Sequence, residues 1–127
     1  MNVAVLGASN KQERYSFKAV RMLREKGHTP YPVHPALPEV DGIPVWPSLQ
    51  AISDPIHTVT VYLSARNQQS IAGQLLNSAV RRVIFNPGAE NPGLAEQLRQ
   101  SGKEVLHDCT LVLLATGQFG SGTPEVG

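Results

Sequence analysis

A single cysteine, Cys109, stands among the 127 residues, so no disulfide can close within the chain and no thiolate metal cluster can form. A dominant charge is missing too. Lys and Arg total 11 against 10 Asp and Glu, a formal net charge of +1, which leaves no basic field to draw nucleic acid or an anionic membrane surface. No apolar run approaches the roughly 20 residues of a membrane span. His28, His57 and His107 stand singly at strand starts or ends, without metal-ligand spacing, and read as structural. The first strand begins at Asn2, so no signal or transit peptide is expected, and the expected setting is cytoplasmic. These absences point to a small-molecule partner, with no nucleic acid, membrane or metal.

What is present is an alternation of strand and helix patterns. Asn2–Leu6 is an apolar run of the kind a strand buried on both faces requires. Phe17, Val20 and Leu23 then recur at three-residue spacing in a helix over 15–26, closed by Gly27 after Lys26. Thr29–Val33 is the second strand, placed near an edge by Pro30 and Pro32. Residues 35–47, with Pro35, Pro38, Pro44 and Pro47, form a stiff connection, and Ser48 caps a short turn through Ile52. His57–Leu63 is the third strand, and Ala65–Ala79 an amphipathic helix with Ile71, Ala72, Leu75, Leu76 and Ala79 on one face. Arg82–Phe85, preceded by a solvated Arg81-Arg82 turn, is the fourth strand. A helix through Leu94 and Leu98, a fifth strand at Glu104–His107 and an apolar segment Thr110–Thr116 follow.

This order predicts an α/β, Rossmann-like, doubly wound sheet of about five mainly parallel strands with helices on both faces, a three-layer α/β/α architecture. The domain spans residues 1–116, and the glycine-rich 117–127 is expected to be a flexible tail. Ligands of such sheets sit beyond the carboxyl ends of the strands, at the topological switch point. Gly7–Ser9, His34-Pro35, Ser64–Arg66 and Asn86–Glu90 occupy those ends.

Two further absences narrow the ligand. A dinucleotide fingerprint needs two more glycines soon after Gly7, and none stands before Gly27. Ser9, Asn10 and Ser16 take their place, with Lys11 and Arg14 between, in a loop long enough to wrap a phosphate with hydroxyls and a lysine. The same residues would also serve as a plain strand-to-helix turn with a serine cap. A nicotinamide domain ends its second strand with an acid that holds the ribose diol. Here the strand ends in Val33-His34-Pro35, a rigid apolar shelf, which disfavours NAD.

Taken together, Gly7-Ala8-Ser9, Ser16, the helix ending at Gly27 and Pro32-Val33-His34-Pro35 resemble the small coenzyme A-binding domain family, related to the nucleotide-binding domain of the succinyl-CoA synthetase alpha subunit. The likeness continues through Gly42-Ile43-Pro44-Val45-Trp46, Asn86-Pro87-Gly88-Ala89 and Asp108-Cys109, over about residues 2–113. The resemblance implies coenzyme A in the cleft. Gly7, Ala8, Ser9 and Ser16 would meet the phosphates with Lys11 as countercharge, and Val33 and Pro35 would flank the adenine. Leu63, Ser64 and Arg66 would line the third strand's end, and Pro87 and Gly88 the fourth's. The family commonly has asparagine where this chain has His34, and often a glutamine and a tryptophan near Phe85-Asn86.

No base stands in a predictable place beside a nucleophile, and nothing resembles a Ser-His-Asp set. His34 reads as a phosphate contact, a general base or an ordinary loop residue. Cys109 reads as a small buried hydrophobe or a thiol able to join the coenzyme's own, and Glu90 as a helix cap. The expected function is binding of coenzyme A or an acyl-CoA without catalytic machinery of its own. The alternatives are an NAD(P)-binding regulatory module, a small acyl-CoA enzyme, or an accessory subunit of an acyl-CoA-using enzyme. A homodimer or an acyl-transferring partner protein is compatible with the short fifth strand and the apolar 111–115 run.

Overall fold

A computed structural model describes residues 1–120 of the chain. Its elements are β1 (Asn2–Leu6), α1 (Tyr15–Glu25), β2 (Thr29–Val33), β3 (Glu39–Val40), β4 (Ile43–Pro44), β5 (Thr58–Val61), α2 (Ala72–Asn77), β6 (Arg82–Phe85), α3 (Pro92–Gln100), β7 (Glu104–Leu106) and α4 (Thr110–Ala115). Short 3₁₀ turns occupy Leu49–Ala51 and Ala65–Gln68. Five strands form one parallel sheet in the order β2-β1-β5-β6-β7, the doubly wound architecture that the alternating pattern predicts.

Strand β1 lies between β2 and β5, with Val5 opposite both Pro32 and Thr60. Its side chains alternate between two cores. Ala4 and Leu6 pack with Val59, Val61, Phe85 and Leu75, on the side covered by α2 and α3. Val3 and Val5 pack with Phe17, Val20 and Leu23 of α1 and Leu113 of α4 on the other. Full burial of side chains such as Val3, Val5 and Leu6 contributes roughly 1.5–3 kcal/mol each, which makes β1 the axis of both layers. The prolines of β2 sit as an edge strand demands. The Pro32 carbonyl and His34 amide face outward and bond Trp46, and Pro30 and Pro32 share that phase, so their missing N–H groups remove no bond to β1.

Four details differ from the sequence-based expectation. The connection 35–47 contains a hairpin whose two-residue Asp41-Gly42 turn has φ of 52° and 80°, as a type I′ loop requires. The Asp41 carboxylate accepts from Arg21 at 3.1 Å and Arg24 at 2.7 Å, tying the hairpin to α1; chiefly the Arg21 hydrogen bond holds its pKa below the ordinary value. The single helix expected over 65–79 is broken. Gln68, fully buried, donates to the carbonyls of Leu63 (2.8 Å) and Ala89 (2.7 Å) and accepts from Asn91 (2.9 Å). An inward polar side chain with three partners outweighs helix continuity. Only Leu75 of the expected apolar face is buried, and Ala79 is exposed.

Arg82 is no solvated turn residue. It is 8% exposed, donates to Thr58 Oγ1 (3.0 Å) and the Phe119 carbonyl (2.8 Å), and lies over the Phe119 ring at 4.5 Å. Of the expected 117–127 tail, residues 117–120 therefore fold back on the body, with Phe119 2% exposed and edge-on to His28. Residues 121–127 lie outside the described residues. Among the described residues, no helix is long and apolar enough to cross a membrane.

Two predictions follow from these buried polar groups. Gln68→Leu leaves two carbonyls and the Asn91 amide without partners, and is expected to lower stability by about 2–3 kcal/mol, read from the urea midpoint at unchanged slope. Burial first lowers the pKa of His28 and His57 below the ordinary 6.5, followed at His28 by the N-terminal ammonium and then Arg82, and at His57 by Arg82 and Arg81. The unfolded chain therefore binds more protons as pH falls below 6.5. Stability is whole above that pH and declines beneath it. The melting temperature of His28→Gln is expected to fall less steeply than that of the unaltered protein between about pH 7 and 5.

Candidate functional site

The chain leaves β1 toward β2 on one side and returns past it to β5 on the other, so the switch point lies between the carboxyl ends of β1 and β5. Gly7 turns out of β1 there with φ of +82°. A Cβ at this position would lie 3.1 Å from Leu63 Cδ2 and 3.2 Å from the Tyr62 carbonyl carbon, so any side chain here would be strained at positive φ and would press Leu63 and Tyr62 back by a few tenths of an ångström.

Two cavities open at this point and share Gly7, His34 and Leu63, forming one cleft with two lobes. The polar lobe, about 520 Å³, is lined by Ser9, Asn10, Lys11, Arg14, Tyr15 and Ser16 along the loop and first turn of α1. No side chain caps α1: its N-cap is Arg14, which makes no capping hydrogen bond. The free amides and positive dipole end of an eleven-residue helix therefore lie beside the cations Lys11 and Arg14 and the hydroxyls of Ser9, Tyr15 and Ser16. The second lobe, about 400 Å³, is mainly apolar, with Val33, Pro35, Pro47, Leu49 and Ile71 among its walls. Among the described residues, no Asp or Glu lines either lobe.

Local bonds fix the cleft's donors. Ser9 Oγ accepts the Lys11 amide at 3.1 Å, which leaves its hydroxyl hydrogen free for a ligand. His34 Nδ1 accepts the amides of Ala36 (3.0 Å) and Leu37 (3.1 Å). These two bonds assign the ring hydrogen to Nε2. Beneath the cleft, Asn86 Nδ2 donates to Thr60 Oγ1 (2.7 Å) and the Val61 carbonyl (2.9 Å), its Oδ1 accepts the Thr110 amide (2.9 Å), and Thr60 and Thr110 hydroxyls meet at 2.7 Å. This buried network fixes the ends of β5 and β6 against the start of α4. The Tyr62 hydroxyl beside it is buried without a partner, and burial pushes the phenol's pKa up, only partly offset by the nearby Thr110 and Thr60.

An uncapped helix terminus beside an apolar pocket, at the switch point of a parallel sheet, is the setting in which the comparisons fall. Residues 1–115 match the CoA binding domain family. The chain belongs to that family. It is 26% identical over 106 residues to the uncharacterized protein YneT of Bacillus subtilis, covering 84% of this chain and 78% of that one. A crystal structure of an uncharacterized protein superposes with a TM-score of 0.82 at 36% identity, covering 93% of this chain and 97% of the other. A protein from Thermus thermophilus reaches 0.85 at 25% identity, over 93% and 90%. The acetyl-coenzyme A synthetase 1 of Ca. Korarchaeum cryptofilum, described as dinucleotide forming and solved with phosphate and ADP, shares the fold at 19% identity and a TM-score of 0.72. That match takes in 84% of this chain and 25% of the synthetase chain.

In this CoA binding domain, Gly7, Ala8, Ser9, Lys11, Ser16 and Pro87 meet around the polar lobe, and Val33 and Pro35 line the apolar one. His34 and Leu63 stand at the junction. The Ala8 amide donates to the Val33 carbonyl at 3.2 Å, so that residue offers position rather than a donor. Three expected residues fall elsewhere. Ser64 is exposed ahead of the 3₁₀ turn, and Arg66 lines a separate cavity with Gln69, Asn91 and Gln97. Gly88 sits in an exposed turn where its amide donates to Glu90. Glu90 is therefore no helix cap; Asn91 Oδ1 caps α3 by accepting from Leu94. Cys109 is half-buried, immediately before α4.

Sequence reasoning missed Tyr15, Leu37 and Tyr62 in the polar lobe, and Asn67, Ser70, Ile71 and Gln74 in the apolar one. The last four carried a usable signal. Ile71 stands on the apolar face read from the sequence, and Asn67, Ser70 and Gln74 are spaced three and four residues apart beside it, but a search for apolar periodicity passes over these polar side chains. Pro47 and Leu49 reach the cleft because Trp46 pairs with Val33 at the outer edge of β2, a contact with no local mark.

Gly7→Ala tests the close approach. Strain at positive φ together with contact against Leu63 is expected to reduce stability by about 1–3 kcal/mol in chemical unfolding. The displaced β5 loop would also narrow the junction of the lobes, so ligand affinity is expected to fall with it.

Proposed function

We propose that this domain holds coenzyme A or an acyl-CoA, with the pyrophosphate in the polar lobe and the adenosine in the apolar one, and carries no catalytic machinery of its own. The observation that carries this reading is the two-lobed cleft. One lobe presents the uncapped α1 terminus with Ser9, Lys11, Arg14 and Ser16, and the other presents a mainly apolar pocket at the end of β2. A ligand with both a multiply charged centre and a flat apolar base fits such a cleft. Membership of the CoA binding domain family supports the same ligand class. Val33 and Pro35 flank the base in this reading, while Leu63 and Pro87 line the path leading out across the ends of β5 and β6.

An NAD-binding regulatory module fits less well, because the strand that should end in an acid ends in His34, whose Nδ1 is already engaged by two amides. Service as an accessory subunit is the second reading, favoured by one observation: the fold recurs as about a quarter of a synthetase chain. A cytoplasmic setting accompanies either reading.

Thermal shift against coenzyme A, acetyl-CoA, NAD, NADP and ATP tests the proposal. Coenzyme A at about 100 times its dissociation constant is expected to add about 2.7 kcal/mol of stability, and NAD little. Ser9→Asp preserves an oxygen to accept the Lys11 amide and places a charge against the phosphates. It is expected to weaken coenzyme A binding about tenfold or more in calorimetry. Unchanged affinity with an intact fold would move the phosphates elsewhere.

A further inference from the structure

We propose that His34 selects a phosphorylated ribose: its Nε2–H donates to the ribose phosphomonoester of the bound coenzyme, so that the domain distinguishes 3′-phosphorylated from free ribose. The inference rests on the coenzyme A reading and goes beyond it, from ligand class to the group that is discriminated.

Four observations converge on this residue. His34 follows β2 directly, where a parallel nucleotide-binding sheet reads the adenosine ribose. A carboxylate there accepts from the two hydroxyls of an unmodified diol. His34 offers the opposite chemistry. The Ala36 and Leu37 amides occupy Nδ1, so the atom left for a ligand is a hydrogen-bond donor. Nε2 has no partner among the described residues, although the ring lines both lobes at their junction. That junction is where a ribose joins a pyrophosphate in one lobe to a base in the other.

The surrounding charge agrees. Lys11 and Arg14 line the same polar lobe as His34, while among the described residues neither lobe has an acid. A free diol gains no acceptor in such a place. A phosphomonoester gains a fixed donor in a positive field, and hydrogen bonds to charged groups are roughly twice as strong as neutral ones. The turn that fixes the ring is also local and rigid, since Pro35 follows His34 and both bonded amides lie within three residues. The donor is thus positioned before the ligand arrives.

The test is the affinity of the unaltered protein for coenzyme A against 3′-dephospho-coenzyme A, with NADP against NAD as a second pair, by calorimetry. Coenzyme A is expected to bind about ten- to a hundredfold more tightly than its dephospho form. His34→Asp retains an oxygen to accept the Ala36 and Leu37 amides but replaces the donor with a negative charge. In that variant the ratio is expected to fall to about one or to invert, the loss being larger for coenzyme A. Equal binding of the two coenzymes by the unaltered protein overturns the role of His34 and leaves coenzyme A binding standing. A ratio that survives in His34→Asp also overturns it, assigning the phosphate to Lys11 and Arg14. Absence of binding by either coenzyme removes the coenzyme A reading and this proposal together. Preference for NADP over NAD without coenzyme A binding likewise overturns the proposal, since the ribose phosphate read would then be that of a dinucleotide.

Discussion

Everything in this domain is arranged around a strand that must be buried on both faces and must then let go of its neighbours at one end. Parallel pairing of β1 with β2 and β5 satisfies its backbone from both sides, and the two cores take its side chains alternately. Crossovers that leave it in opposite directions necessarily part beyond Leu6. The gap they leave is the cleft. Gly7 is the residue that permits the parting, because the backbone turns at positive φ where an added Cβ would press on Tyr62 and Leu63 after β5. A bulkier residue would have to displace Leu63, and with it the wall that the two lobes share.

The two ends of the sheet are held by different physics. At the amino ends, Arg82 is buried without a carboxylate contact among the described residues and bonds a hydroxyl and a carbonyl against an aromatic face. That arrangement fastens the segment around Phe119 to the body, and the buried guanidinium adds to the burial that disfavours charge on His28 and His57. At the carboxyl ends, Asn86 and Gln68 act as bridges. Each bonds groups from separate loops, so the walls of the cleft are fixed by buried amides rather than by ion pairs. Among the described residues, the charge lining the polar lobe at this end is carried by Lys11 and Arg14, with no acid.

Much of this was legible in the chain. The strand and helix alternation, the edge position of β2, the loop from Gly7 to Ser16 and the absence of an acid after β2 all follow from local rules of backbone geometry and periodicity. The polar lobe was readable for the same reason: its residues are contiguous, so their proximity needs no tertiary information. The apolar lobe was not. Asn67, Ser70, Ile71 and Gln74 meet Val33 and Pro47 only because the chain crosses β1 and returns. The broken 65–79 helix was missed because nothing local marks Gln68 as buried; its partners are the carbonyls of Leu63 and Ala89 and the amide of Asn91. Arg82 misled for the opposite reason, since an arginine pair ahead of a strand looks solvated until a distant aromatic and a threonine cover one of the two.

The sequence by itself determined the class of fold, the place of the switch point and the residue chemistry of the Gly7–Ser16 loop, because each is set by residue type, hydrogen-bonding geometry and apolar spacing within a few residues. The tertiary structure alone decided which side chains share the cleft and which donors remain free. Those properties depend on partners supplied from far along the chain: the Val33 carbonyl that takes the Ala8 amide, and the Trp46 pairing that brings Pro47 to the end of β2. A residue's type fixes what it can offer, and only its neighbours in space fix what it has left to give.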